Sequence, residues 1–423
     1  MAKVKEGLKT KRPAEVYRDA DALHGPRNKQ QVYNASCRLN KESLPAGRQH
    51  STNFADQVSA VEGMQDNMPF IRRVIKLPSK PPTIICYTLD QVSDMVRFCD
   101  PALSCQSTVL GVDKTFNLGP LHVTPTVFKN LSVTKRSDGD HPIFPGPTFI
   151  HGSSDTEMYN EFFRHLAGLF PASATPVLGS DEEGAIRRAA QQAFPRSLRL
   201  VCTKHVKDNF NNFLKDQGMR KQERKALKGE VFGDDGVLKN SRSTQEMNDG
   251  LRHLAARYPP NGTAPNPIKK RVEKLIHPLE DNFRALDKPG LLMQHFLWTN
   301  NNSESFNHVL KQETSWKSCQ LPRLVSILHD VVVEKYREVE RCFLGLGEYQ
   351  LAEEYKTFNL RRDDWLSKSA AQRSKHFKRF MSTSTNPGRV TSTDGKTTAR
   401  APAHKGRKPG QRKRPRADRT TRR

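Results

Sequence analysis

The pattern of hydrophobic and polar positions becomes regular from Ile84 onwards. The run TIICY is followed by SDMVRFC at helical spacing, and then by the short β-rich runs STVLGV, HVTPTVFKNLSV and PTFIHG. Turn residues separate these runs, which predicts a three-stranded meander. The amphipathic segment EMYNEFFRHLAGLF, the strand-to-helix segment TPVLGSDEEGAIRRAAQQAF and the short strand LRLVC come next. The order β-β-β-α-β-α-β indicates an α/β fold.

The segments around this pattern are more polar. Residues 1–80 show no sustained apolar period, which predicts a basic, weakly ordered N-terminal arm. Residues 206–290 are charged and helical in pattern, with Gly-rich and Pro-rich interruptions, and predict an inserted helical subdomain. The run LPRLVSILHDVVVEKYREVERCFLGL predicts a packed helix or helix pair, followed by a helical extension over 346–380. Residues 381–423 lack aromatic side chains and predict a disordered basic tail.

Composition narrows the choice of partners. The chain has 70 Lys and Arg residues against 45 Asp and Glu, a formal charge of +25, which favours nucleic acid over other polyanions. An anionic membrane surface competes, but no apolar run approaches the roughly 20 residues that span a bilayer. The first residues, MAKVKEGLKTKR, do not resemble a secretory signal, and the seven cysteines include no C-x-x-C pair. An intracellular protein with reduced thiols is therefore expected.

Much of the positive charge lies at the C-terminus. Residues 400–423 hold eleven Lys and Arg side chains and one Asp. The segment HKGRKPGQRKRPR resembles an AT-hook, in which basic side chains enter the narrow minor groove of A·T-rich DNA. The same composition is typical of a nuclear localisation signal, and both interpretations stay open. The candidate DNA-binding residues of this tail are Arg407, Lys408, Arg412, Lys413, Arg414 and Arg416.

Three segments have to be considered together: STVLGVDKTFNLG, PVLGSDEEGAIRRAAQQAFPRSLRLVCTKHV and LWTNNNSESFNHVLK. In combination they resemble the Mutator-like element (MULE) transposase domain, and the resemblance spans residues 81–345. It implies an α/β, ribonuclease-H-like mixed sheet flanked by helices, with a helical insertion before the last catalytic helix. The acidic triad of that family falls on Asp113, Asp181 and Glu304, which would hold two Mg²⁺ or Mn²⁺ ions. The family cleaves DNA at element ends and joins them to target DNA, which implies a nuclear protein acting as a homo-oligomer on terminal repeats.

Each acid also has an ordinary structural interpretation. Asp113 follows the apolar run VLGV, where an unpaired carboxylate is expensive unless it binds a ligand, although a turn or a salt bridge would also explain it. Asp181 ends a strand at the edge where ligands bind, but it could be a helix N-cap, with Glu182 or Glu183 as the ligand instead. Glu304 follows TNNNS at the start of a predicted helix, where an acid also suits the helix dipole.

The predicted helix that carries Glu304 has a polar face. Asn307, His308 and Lys311 follow at helical spacing, so this face could direct Glu304 to a metal ion and Lys311 to a phosphate. Trp298, just before this helix, could stack on an extruded base or belong to the core. We count Trp298, His308 and Lys311 as further candidates for DNA binding.

Cys202 and His205 form a C-x-x-H pair just after a predicted strand. They could orient the active-site strand and loop, whereas two ligands without a second pair are a poor zinc signal. Many MULE relatives carry an N-terminal zinc-binding module, but the first 80 residues here contain only Cys37. The leading hypothesis is a DDE-type DNA transposase. A domesticated, non-catalytic DNA-binding protein and a ribonuclease-H-like nuclease are the alternatives.

Overall fold

A computed structural model describes residues 53–76, 80–257, 279–293 and 297–383, with short pieces at 2–7, 16–17, 26, 31–32, 271, 392–393 and 396–397. Its strands are β1 (Ile71–Ile75), β2 (Thr83–Cys86), β3 (Leu110–Val112), β4 (His122–Lys129), β5 (Val133–Lys135), β6 (Ile143–His151), β7 (Leu178–Ser180), β8 (Arg199–Val201), β9 (Tyr349–Leu351), β10 (Ser392–Thr393) and β11 (Lys396–Thr397). Strands β5 and β9 form one separate antiparallel pair, β10 and β11 form another, and the other seven form one sheet.

The main sheet is mixed. Its spatial order is β1-β2-β6-β4-β3-β7-β8. The neighbouring pairs β1–β2, β2–β6, β6–β4 and β4–β3 are antiparallel, whereas β3, β7 and β8 run parallel to one another. The meander predicted from the sequence therefore forms β3, β4 and β6, and the parallel strands extend it on the β3 side. The protein is a mixed α/β structure compatible with a ribonuclease-H-like fold.

Helices flank this sheet. They are α1 (Ala2–Gly7), α2 (Phe54–Gly63), α3 (Leu89–Cys99), α4 (Thr156–Ala167), α5 (Gly184–Ala193), α6 (Thr203–Asp216), α7 (Lys221–Phe232), α8 (Val237–Asn240), α9 (Thr244–Ala256), α10 (Asn301–Glu313), α11 (Leu321–Cys342), α12 (Arg362–Leu366) and α13 (Ala370–Met381). A 3-10 helix, Glu353–Phe358, precedes α12. The run predicted as a helix or a helix pair is the single helix α11. Among the described residues, no helix is long and apolar enough to cross a bilayer.

The segment between β8 and α10 has a hydrophobic core of its own. Helices α6, α7, α8 and α9 bury apolar side chains against one another, including Phe210, Leu227 and Leu251. Asn282 connects this part to the sheet, because its side chain donates to Val201 O at 3.0 Å and accepts from Val201 N at 2.9 Å. The amide thereby satisfies backbone groups at the outer edge of β8, which would otherwise be unpaired.

Besides the short helix α1, two elements lie inside the range 1–80 that the sequence predicted to be weakly ordered. Helix α2 buries only Val58 and Val61, and it packs against α11. Strand β1 joins the main sheet at its outer edge, paired with β2. Both elements are short and mostly polar, so their apolar signal in the sequence is weak, and the rest of the core provides the surface on which they order.

Candidate active site

Two neighbouring parallel strands end in similar sequences. The segments VLGVD and VLGSD end at Asp113 and Asp181, and each acid directly follows its strand. Strands β3 and β7 pair with Gly111 beside Gly179. The same register, continued by two residues, puts Asp113 beside Asp181. Neighbouring strands lie about 4.8 Å apart, so the two carboxylates share one edge of the sheet.

Helix α10 brings the third acid to this edge. A Cβ atom on Gly111 would lie 2.7 Å from Ser303 Oγ, closer than real Cβ contacts. Because glycine leaves this room, the first turn of α10 packs directly against β3. Glu304 lies in that first turn, beside Ser303.

The three carboxylates interact electrostatically. Burial, followed by the negative charges of Asp181 and Glu304, raises the pKa of Asp113 from its ordinary 3.8 to about 7. Hydrogen bonds from the Lys114 backbone and the Asn307 side chain act in the opposite direction. Like charges raise a carboxyl pKa in this way only at short range, so the acids form a single site.

Hydrogen bonds and an ion pair position the first two acids. The Asn307 side chain donates from Nδ2 to Asp113 Oδ2 at 2.7 Å. Asp181 Oδ1 accepts from the backbone N–H of Glu183 at 3.0 Å, and Glu183, not Asp181, is the N-cap residue of α5. Lys114 Nζ lies 3.0 Å from Glu183 Oε2, which ties the loop after β3 to the loop after β7.

Glu304 faces two side chains of the C-x-x-H segment. Lys204 Nζ lies 3.1 Å from its carboxylate, and His205 Nε2 lies 3.8 Å from it. Cys202 is fully buried, and its Sγ accepts from the backbone N–H of Asn300 at 3.3 Å. The segment thus connects the start of α6 to the start of α10. This arrangement agrees with a role for Cys202 and His205 in orienting the strand and loop of the site.

The donor set at this edge fits a hard divalent cation. Three carboxylates lie near enough there to interact electrostatically, and Asn300 Oδ1, Ser303 Oγ and Asn307 Oδ1 are buried without a hydrogen-bond partner. Oxygen ligands of this kind are those that Mg²⁺ and Mn²⁺ prefer. In the described part of the chain, no three carboxylate, imidazole or thiolate groups lie close enough to hold an ion as the side chains stand. Glu304 pairs with Lys204 in this arrangement, so binding an ion would require this ion pair to open.

Trp298 is placed behind the site. Its ring lies so close to Gly179 that a Cβ atom there would overlap it. It also packs on the buried cluster that contains Val109 and Val177. This position agrees with the interpretation of Trp298 as a core residue. To stack on an extruded base, the ring would first have to leave this packing.

Of the other candidates for DNA binding, His308 and Lys311 are among the described residues, and the basic residues of the C-terminal tail are not. His308 is exposed on α10, and the backbone carbonyl of Lys311 caps the end of that helix by accepting from Trp316 N at 2.7 Å. Arg407, Lys408, Arg412, Lys413, Arg414 and Arg416 lie outside the described residues.

Sequence reasoning missed the two lysines of the site. Lys114 directly follows Asp113, and Lys204 lies inside the C-x-x-H pair, so their positions beside predicted site residues were the available signal. Their ion pairs with Glu183 and Glu304 join residues far apart in the chain. Only the tertiary contacts identify these partners.

Comparisons with known proteins do not identify the chain. No protein-family model matches it, and no curated protein matches it either. The geometry of the site and the sequence resemblance are therefore the basis for proposing a function.

Proposed function

We propose that the chain is a metal-dependent DNA transposase with a ribonuclease-H-like core. The observation that carries the proposal is the placement of Asp113 and Asp181 at matching positions on neighbouring parallel strands, with Glu304 close enough to raise the pKa of Asp113. The topology supports it, because β3 is the first strand of the meander and β7 is the fourth strand of the β-β-β-α-β-α-β pattern. The MULE resemblance places the first two acids on those strands and the third on a later helix.

The proposed reaction is two successive phosphoryl transfers on DNA. In the first, a water oxygen joins the phosphorus at the element end and the P–O3′ bond breaks, which leaves a 5′-phosphate and a free 3′-OH. In the second, that 3′-OH joins a phosphorus of the target strand, and the P–O3′ bond of the target breaks. In both steps the nucleophile loses a proton and the leaving 3′-oxygen gains one. Mg²⁺ or Mn²⁺ ions held by Asp113, Asp181 and Glu304 would activate the nucleophile and stabilise the leaving oxygen.

The neighbouring residues keep the acids in place. Asn307 orients Asp113, and the ion pair of Lys114 with Glu183 holds the two acid-bearing loops together. Lys204 is different, because its side chain is 54% exposed. It can leave Glu304 and donate to a phosphate oxygen of the bound DNA, which would free the Glu304 carboxylate for an ion.

Amide substitution of the acids tests the proposal. Asp113→Asn, Asp181→Asn and Glu304→Gln should each lower Mg²⁺- or Mn²⁺-dependent cleavage and strand transfer by about a thousandfold or more, because each removes a negative ligand while keeping shape. The substrate is a duplex taken from the DNA that flanks the coding region, chosen to include any inverted repeats found there. DNA affinity should be almost unchanged, since it depends mainly on Lys and Arg contacts to phosphates.

Glu182 provides the matched control. It lies beside Asp181 and accepts from Asn209 Nδ2 at 2.5 Å, and Glu182→Gln should retain activity. Full activity in all three triad variants would overturn the catalytic assignment. Wild-type protein that binds the repeats without cutting them would favour the domesticated DNA-binding alternative, and preferential cleavage of RNA would favour the nuclease alternative.

A further inference from the structure

Two exposed aromatic side chains lie on the loops that leave the acid-bearing elements. Phe116 follows Asp113 by three residues and is 48% exposed. Trp316 follows the end of α10, the helix of Glu304, and is 62% exposed. It is the most exposed aromatic side chain among the described residues. Aromatic rings of this size are normally buried, so two of them at one site require an explanation.

The two loops are joined to each other. Cys319 donates to Leu118 O both from its backbone N–H, at 3.0 Å, and from Sγ, at 3.2 Å. Gly119 lets the loops approach, because a Cβ atom there would lie 3.2 Å from Cys319 O. The loop that carries Phe116 is therefore joined to the loop that carries Trp316.

The backbone is left-handed at Trp316 and at the residue after Phe116. Asn117 has a φ of 63°, Ser315 of 54° and Trp316 of 59°. This conformation is unfavourable for residues with a Cβ atom, above all for a bulky one such as tryptophan. A glycine would end α10 in this turn at lower cost, so the turn itself does not require an indole. Strain of this kind concentrates at functional sites.

Each ring rests edge-on against a histidine and has basic neighbours. The ring of Phe116 lies 5.4 Å from that of His122 at 85°, and the ring of Trp316 lies 5.3 Å from that of His308 at 73°. Lys114 Nζ lies 5.2 Å from the Phe116 ring centre. Lys311 and Lys317 flank the turn that carries Trp316 in sequence. The surface thus combines partly open aromatic rings with positive charge.

We infer that Phe116 and Trp316 form a stacking platform for unpaired bases of a single-stranded nucleic acid on the joined loops that leave β3 and α10. Bases stack on aromatic rings whatever their identity, and basic residues around the rings bind the phosphates between them. This inference rests on the proposed function, since Phe116 follows Asp113 by three residues and a strand bound there would lie near that acid. An apolar peptide partner fits less well, because the rings are surrounded by lysines and histidines.

Binding of a short single strand tests the platform without any cleavage. Fluorescence anisotropy of a labelled twelve-nucleotide oligo(dT) is measured in EDTA at fixed salt. Phe116→Leu and Trp316→Leu should each weaken binding by roughly 5- to 150-fold, the effect of removing one base–aromatic stack. Trp316→Phe and Phe116→Trp keep a ring and should bind nearly as the wild type does. Leu89→Ala removes another exposed apolar side chain and should have no effect.

An abasic oligonucleotide of the same length separates stacking from charge. Wild-type protein should bind it as weakly as the double variant Phe116→Leu/Trp316→Leu binds oligo(dT). Equal binding of the abasic strand and oligo(dT) by the wild type, or full affinity in the leucine variants, overturns the platform. Both results are independent of the proposed catalysis, because Asp113→Asn should keep the preference for strands that carry bases.

Discussion

Replacing Gly111 with alanine tests whether α10 rests directly on β3. The new Cβ would lie 2.7 Å from Ser303 Oγ and 3.0 Å from Val127 Cγ2, whereas ordinary contact begins at 3.4 Å. The helix or the strand must therefore move by about 0.7 Å, and an extra methyl group in a packed interior costs about 1–3 kcal/mol of unfolding free energy. The same displacement would move Glu304 away from Asp113, so the activity proposed above should fall together with the stability.

Urea denaturation measures the effect, and Gly63 supplies the control. A Cβ atom on Gly63 meets nothing within 4 Å, so Gly63→Ala should leave the unfolding free energy unchanged or slightly raised, since alanine favours a helix. Adding Ser303→Gly to Gly111→Ala removes the side chain in the closest contact and should restore part of the loss. If Gly111→Ala unfolds at the same urea concentration as the wild type, the helix does not pack on the strand as described.

Two buried polar groups lead to further predictions. Arg97→Met should lower the unfolding free energy by about 3–5 kcal/mol, because Arg97 Nη2 pairs at 3.2 Å with the fully buried Asp94, which would lose its positively charged partner and keep only neutral ones such as Asn130. In urea denaturation, the double variant Arg97→Met/Asp94→Asn should lose less unfolding free energy than the two single variants lose together. Simple additivity of the two losses would contradict the pairing. Burial lowers the pKa of His151 from 6.5 to about 4, so between these values the unfolded chain binds a proton that the native chain does not. Stability should therefore fall by about 3 kcal/mol as the pH drops through this window, and a His151→Gln variant with the same pH dependence would refute this.

The local elements around the site follow from the sequence alone. The apolar runs before Asp113 and Asp181 predict strands, and both acids do directly follow strands. The segment that contains Glu304 predicts a helix start, and α10 begins at Asn301. These predictions succeed because a hydrophobic period, a strand end and a helix start depend on residues close together in the chain.

Exposure of the tryptophans could not be predicted from the sequence. Trp298 and Trp316 both lie within a few residues of α10, and the sequence offers no reason to bury one and expose the other. The structure distinguishes them, because Gly179 leaves room for the Trp298 ring, whereas the left-handed turn at Ser315 and Trp316 turns the second ring to solvent. The sequence left base stacking and core packing both open for Trp298, and its ring is partly buried against Val109 and Val177.

The sequence by itself determined on which kind of element each candidate site residue lies. Whether the carboxylates meet was decided by the tertiary structure. Asp113 and Asp181 lie side by side only because β3 and β7 pair with Gly111 beside Gly179, and a shift of one residue would turn one acid to the other face. Glu304 reaches them only because Gly111 lets α10 approach, and Lys204 meets Glu304 from a helix nearly 100 residues earlier. Register and close packing depend on contacts between distant parts of the chain, and local sequence patterns do not encode them.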